Sequence, residues 1–285
     1  MQFIFFDTAI CIVLLLFLRD AYKRGHNYFY LLIAGVFYGL FLEWATIEQL
    51  STYHYSERFI ISFQGVPISI GMAWGLIIYS VMLFSDSSSL PGIFRPFLDG
   101  LVALNIDFGI DVIAIRMDMW HWGIGLEDEF FGVRYGNFWA WFWVVVSFSA
   151  TYRMLLVYDR ARKWSWLPAI GAIMGGLYGV VLTNHYIQSV FESRYELTIL
   201  VTGLLALAIV AMNRPRFYLH DKLPLIHIVL IGSHFFFFLL GLLTGALFNP
   251  PLLLLVWSVS TLLAVAMHHQ VLRSFITRLR RVKDT

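Results

Sequence analysis

Asp107 and Asp111 stand four residues apart in Asn105-Ile106-Asp107-Phe108-Gly109-Ile110-Asp111, within a stretch otherwise apolar enough to cross a membrane. Residues four apart share one helix face. Two carboxylates so close in a low-dielectric setting do not both ionise readily, and they titrate together. Such a pair suits an acid that donates a proton beside a base that accepts one. The competing reading places both near the membrane surface, solvated or paired with Arg116. A functional role outweighs it, because an Asp at the bilayer centre costs about 2.5–3.5 kcal/mol and two on one face are rare without a use.

Glu43 is a third acid in apolar surroundings. The segments Tyr53-His54-Tyr55 and Trp120-His121-Trp122 fall in loops, and Asn137 opens a further apolar run. On the topology below, Glu43, Asp107, Asp111, Tyr53, Tyr55, Trp120, Trp122 and Asn137 are expected to surround one cavity. For Trp120 and Trp122 the ordinary alternative is an interfacial belt. The nine histidines show no HxxxH or HxxHH box. His227 and His234 lie seven apart and so share a helix face, an arrangement more often hydrogen-bonded within a bundle than metal-ligating. HExxH, CxxC, Walker-type glycine loops and GxSxG are all missing, so no metal, nucleotide or other cofactor is expected. Nothing points to nucleic acid.

The elements that must position these residues are membrane helices. Of 285 residues, 59% are hydrophobic and 13% charged, with mean hydropathy +0.73; soluble domains run nearer a quarter charged. A span needs about 20 mostly apolar residues. Nine segments qualify: 3–18, 27–47, 66–84, 97–115, 137–156, 166–184, 197–212, 225–247 and 251–268. The last two meet at Asn249-Pro250-Pro251, a tight turn, since Pro-Pro cannot continue a helix. The start has no basic n-region and no small-residue cleavage site, so the first segment reads as a retained helix. Cys11 is the single cysteine, which rules out an internal disulfide.

Sixteen of the 20 Lys and Arg residues fall on one side of alternate loops, among them Arg19, Lys23, Arg24, Arg95, Arg153, Arg160, Arg162, Lys163, Arg214, Arg216, Lys222 and the tail from Arg273 to Lys283. Arg58, Arg116, Arg134 and Arg194 lie on the other. The positive-inside rule makes the first side cytoplasmic. The expected fold is an all-α, polytopic transmembrane bundle of about nine spans, with the N-terminus outside and the C-terminus cytoplasmic. Residues 1–285 form one integral membrane domain of the cell (inner or plasma) membrane. The basic tail Arg278–Lys283 is expected to meet anionic lipid headgroups.

An ordered series of residues adds a resemblance. It runs Glu43, Tyr53 and Tyr55, Gly65-Val66-Pro67 with Trp74, Asp107 and Asp111, Trp120-His121-Trp122, Phe130-Phe131-Gly132, and Asn137-Phe138-Trp139-Ala140-Trp141. The series resembles the membrane carotenoid hydratase family typified by bisanhydrobacterioruberin hydratase, over residues 40–145. Three positions depart from the family pattern: Val112 follows the second Asp where the family has Pro, Ile106 precedes the first where it has Trp, and Gly132-Val133-Arg134 stands for Gly-x-Pro. Residues 150–285 carry no such motif.

The resemblance implies addition of water to a terminal C=C of an acyclic carotenoid, giving a tertiary alcohol without a cofactor. It assigns Asp107 or Asp111 as acid and the other, or Glu43, as the base that orients water. Tyr53, Tyr55, Trp74, Trp120, Trp122, Asn137 and Trp141 would line the substrate site. Expected partners are membrane lipid and a carotenoid or other isoprenoid, with a homo- or hetero-oligomer in the membrane left open. Two alternatives stand beside it. The pair Asp107 and Asp111 loosely resembles the aspartate-rich helices of intramembrane prenyltransferases, although no second such motif is present. The 26 Phe and 10 Trp equally suit a non-catalytic subunit that binds pigment or lipid.

Overall fold

A backbone in lipid must satisfy its own hydrogen bonds, and long apolar runs do so as helices. The computed structural model describes residues 2–50, 53–158, 163–218 and 225–269. Among them, α1 (Gln2–Arg24), α2 (His26–Gln49), α3 (Ile68–Asp86), α4 (Arg95–Arg116), α5 (Tyr135–Leu156), α6 (Trp166–Val190), α7 (Tyr195–Met212), α8 (Ile226–Leu230), α9 (Gly232–Thr244) and α10 (Leu252–Met267) form an all-α bundle. Among the described residues, six stretches are long and apolar enough to cross a membrane: α1, α2, α3, α6, α7 and α8–α9 taken together. The chain is thus a helical membrane protein by length and composition. The basic tail, with Arg160, Arg162 and Lys222, lies outside the described residues.

Helix α3 is the axis of the bundle. It is buried almost without interruption from Trp74 to Ser85, with α2, α4 and α1 packed around it. Helices α4 and α5 pack on each other, α6 lies along α5 and α2, and α9 and α10 cover α4. Small residues let backbones approach where no hydrophobic force acts between helices in lipid. At the α2–α3 contact, a Cβ on Gly35 would lie 3.0 Å from Gly75 Cα, and one on Gly39 would lie 2.3 Å from Trp74 Cβ. Glycine at 39 therefore makes room for the Trp74 side chain, one helical turn from Glu43.

Several boundaries differ from the sequence reading. The first helix runs on to Arg24. Val66 and Pro67 are not helical: they form strand β3 (Val66–Pro67), paired with β2 (Ser62–Phe63). The stretch 225–247 is not one helix but breaks at Ile231, and it ends at Gly245 with φ of 76°. A second ribbon joins β1 (His54–Tyr55) to β4 (Trp120–His121), pairing His54 with His121 and Tyr55 with Trp120. That pairing ties the α2–α3 loop to the α4–α5 loop and caps one end of the bundle. The cap is fastened by Ser56 N donating to Met119 O at 3.0 Å and by Ile60 N donating to Asp7 Oδ2 at 2.8 Å.

Candidate functional site

Beneath the cap lies a cavity of about 320 Å³. The end of α2 brings Glu43 to it, the start of α3 Trp74, the end of α4 Asp111, the start of α5 Asn137 and Trp141, and the paired loops Tyr53, Tyr55, Trp120 and Trp122. Nine of the ten residues expected from sequence thus line one space. The tenth, Asp107, is fully buried behind it. It reaches the cavity through Asn137, whose Nδ2 donates to Asp107 Oδ2 at 2.9 Å and to Asp111 Oδ2 at 2.7 Å. Asp107 Oδ1 has no hydrogen-bond partner. The Asn137 amide thus holds the two carboxyl groups side by side.

The surface reading of these acids fails. Asp107 is 0% and Asp111 2% exposed. Arg116 pairs with neither; it donates to the carbonyls of Asn249, Val112, Phe131 and Leu126 at 2.7–3.2 Å. The guanidinium thus closes the Asn249-Pro250-Pro251 turn onto α4.

Glu43 is held as an acceptor. Trp74 Nε1 donates to Oε1 at 2.7 Å and Tyr53 Oη donates to Oε2 at 3.0 Å, with the Tyr55 hydroxyl 2.6 Å from that of Tyr53. Burial, and then the nearby Glu43, hold both loop phenols well above the ordinary tyrosine range, so they stay neutral donors. Aromatic faces complete the wall. Tyr53 stacks on Trp122 with centroids 4.3 Å apart, Tyr55 meets Trp120 edge-on at 5.9 Å, and Trp74 lies 4.4 Å from Trp141. Trp120 and Trp122 are buried, so in this fold they serve the cavity and not a lipid-facing belt.

Sequence reasoning missed the far wall. Thr183, Asn184 and Gln188 of α6 and Tyr195 of α7 also line the cavity, and Tyr195 Oη donates to Asn184 Oδ1 at 2.7 Å. The available signal was the polar pair Thr183-Asn184 closing an apolar segment. A second polar cluster was also missed. Asp99, 0% exposed, accepts from Arg153 Nη1 and Ser149 Oγ, each at 2.6 Å. Arg153 also bonds Ser149 Oγ, and through Nη2 it reaches Ser85 Oγ at 2.8 Å and Asp86 Oδ1 at 2.9 Å. This cluster clamps α3, α4 and α5 at the end opposite the cavity.

The histidines do not act as one pair. The break at Ile231 turns His227 toward His268, Nδ1 to Nδ1 at 3.1 Å, while His234 Nε2 faces Asn105 Nδ2 at 3.3 Å. Among the described residues, no three His, Cys, Asp or Glu side chains converge as metal ligands. No family model, curated protein or solved structure matches this chain, so the functional argument rests on the geometry of the site.

Proposed function

We propose that this chain is a membrane hydratase that adds water across a terminal, trisubstituted C=C of an acyclic carotenoid. The observation that carries the reading is the convergence of Glu43 with the Asn137-bridged Asp107–Asp111 pair in one aromatic-walled cavity. Protonating an alkene carbon needs a positioned acid. The aspartate pair holds one shared proton, and Asp111, which faces the cavity, delivers it to the less substituted alkene carbon. The π bond breaks, a C–H bond forms, and the tertiary carbon becomes cationic. The faces of Trp122, Tyr53, Trp74 and Trp141 stabilise that cation. A water oriented by Glu43 forms the C–O bond and gives up a proton to the carboxylate, and the proton returns to the aspartate pair within the cavity. The sum is alkene plus water to tertiary alcohol, and no electrons are exchanged. General acid–base assistance of this kind contributes about 10²–10⁴-fold.

The reading includes a topology. The six apolar spans, the 22-residue helices α4, with its acids turned inward, and α5, and the 16-residue α10 make nine crossings. Basic residues at the ends of α1 and α5 and after α7 support an orientation with the end opposite the cavity in the cytoplasm. The cavity then opens at the outer leaflet, where the end of a long isoprenoid meets water. The prenyltransferase alternative draws no support from the site, which holds one acidic pair bound to an amide.

The test uses purified protein in nanodiscs with an acyclic carotenoid in deuterated, oxygen-labelled water. The expected product gains one water, with the label in a tertiary alcohol and one carbon-bound deuterium. Asp111→Asn and Glu43→Gln are expected to abolish it. Pigment that binds and stays unchanged would replace the hydratase reading with that of a binding subunit.

A further inference from the structure

Beside the cavity lies a second, larger space of about 790 Å³, between α6 and α7. Its floor is Trp139 and Trp143 of α5, and its walls include Leu182 and Tyr186 of α6 and Val201 and Leu205 of α7. Trp139 and Thr183 line both spaces, so the two lie side by side with these residues at their boundary. The groove exists because α6 and α7, although consecutive, each pack on α5 more closely than on one another.

Two observations select its occupant. The cavity, at about 320 Å³, sits at the low end of the ~300–1,000 Å³ typical of ligand pockets, so it takes an end group and leaves a long chain outside. On α7 the groove runs from Arg194 to Leu205. At 1.5 Å per residue that is about 16 Å, roughly half of the ~30 Å hydrocarbon layer. A chain in it passes from the level of the acids to the bilayer middle.

We propose that the α6–α7 groove binds the extended hydrocarbon body of the molecule whose end group lies against Asp111 and Glu43. This rests on the reading that the cavity takes the end of a lipophilic substrate. A phospholipid chain would fill the groove from the membrane without reaching the boundary at Trp139 and Thr183. A molecule continuous with the cavity must cross it.

Photolabelling separates these occupants without requiring turnover. Two acyclic isoprenoid hydrocarbons are made, each with a terminal trisubstituted alkene and an otherwise saturated body. One carries a diazirine at mid-chain and the other beside the alkene. Each is added to the protein in nanodiscs, with a diazirine phosphatidylcholine in parallel. The mid-chain probe is expected to label peptides containing Leu182, Val201 or Leu205, and the end-group probe peptides containing Tyr53 or Trp141. Thr202→Trp, which fills the groove, is expected to lower mid-chain labelling about tenfold, at the low end of what lost fit in an apolar pocket costs. It should leave end-group labelling by a short, single-unit alkene probe unchanged. Mid-chain label outside the groove, or equal labelling of the groove by the phosphatidylcholine probe, overturns the proposal. An end-group probe that misses the cavity overturns both this proposal and the reading beneath it. Correct labelling without hydration sinks the hydratase chemistry alone.

Discussion

Replacing Asn137 by leucine, which has the same branching and number of side-chain heavy atoms, removes one amide that serves two buried carboxyls. Its Nδ2 lies 2.9 Å from Asp107 Oδ2 and 2.7 Å from Asp111 Oδ2, and both acids are buried. Hydrogen bonds to charged groups contribute about 1.5–3 kcal/mol each, so Asn137→Leu is expected to cost about 3–6 kcal/mol. At roughly 2–4 °C per kcal/mol for chains of this size, the unfolding midpoint in nanodiscs falls by roughly 6–24 °C. The mechanism is isolated by a double-mutant cycle with Asp107→Leu. With one carboxyl gone, the amide serves only Asp111, and Asn137→Leu should then cost about half as much. The coupling is therefore about 1.5–3 kcal/mol, well above the ~0.3–0.5 kcal/mol scatter of independent sites. Tryptophan fluorescence during thermal unfolding reads all four corners of the cycle. Additive midpoints, or an Asn137→Leu protein as stable as the parent, would refute the shared-amide account of the acid pair.

Four further outcomes follow from the same coordinates. Trp74→Phe leaves Glu43 Oε1 without its 2.7 Å donor and is expected to lower stability by about 1.5–3 kcal/mol, with little further loss when combined with Glu43→Gln. Gly39→Ala forces a Cβ to within 2.3 Å of Trp74 Cβ and should cost about 1–3 kcal/mol through overpacking, whereas Gly92→Ala, with nothing within 4 Å, should leave the midpoint unchanged. Arg153→Leu strands Asp99, 0% exposed, and is expected to cost about 3–5 kcal/mol, most of it recovered by adding Asp99→Asn. In a Cys11→Ser background, which removes the single exposed thiol, Glu57→Cys should react with an impermeant maleimide on intact cells and Arg214→Cys only after permeabilisation; the reverse pattern would invert the topology.

The local half of this protein is legible along the chain. Apolar runs of span length give the helices, because lipid leaves a backbone no other partner. The four-residue spacing of Asp107 and Asp111 places both acids on one helix face. The polar interruptions Glu43 and Asn137, and the tyrosine and tryptophan pairs in the loops, mark one end of the bundle once alternate crossings are counted. What those signals lack is distance across helices. That Asn137 bridges the two acids, that Trp74 rather than a cation holds Glu43, and that Arg116 turns to carbonyls are outcomes of how α2, α3, α4 and α5 are packed. That packing depends on close approaches such as Gly39 to Trp74. The far wall from Thr183 to Tyr195, the clamp from Asp99 to Arg153 and the groove over Trp139 join residues dozens of positions apart, and no periodicity encodes them. A helix pattern states which face of each element is distinct, and only the tertiary arrangement decides which faces meet, because contacts between helices are set by the fit of many side chains at once.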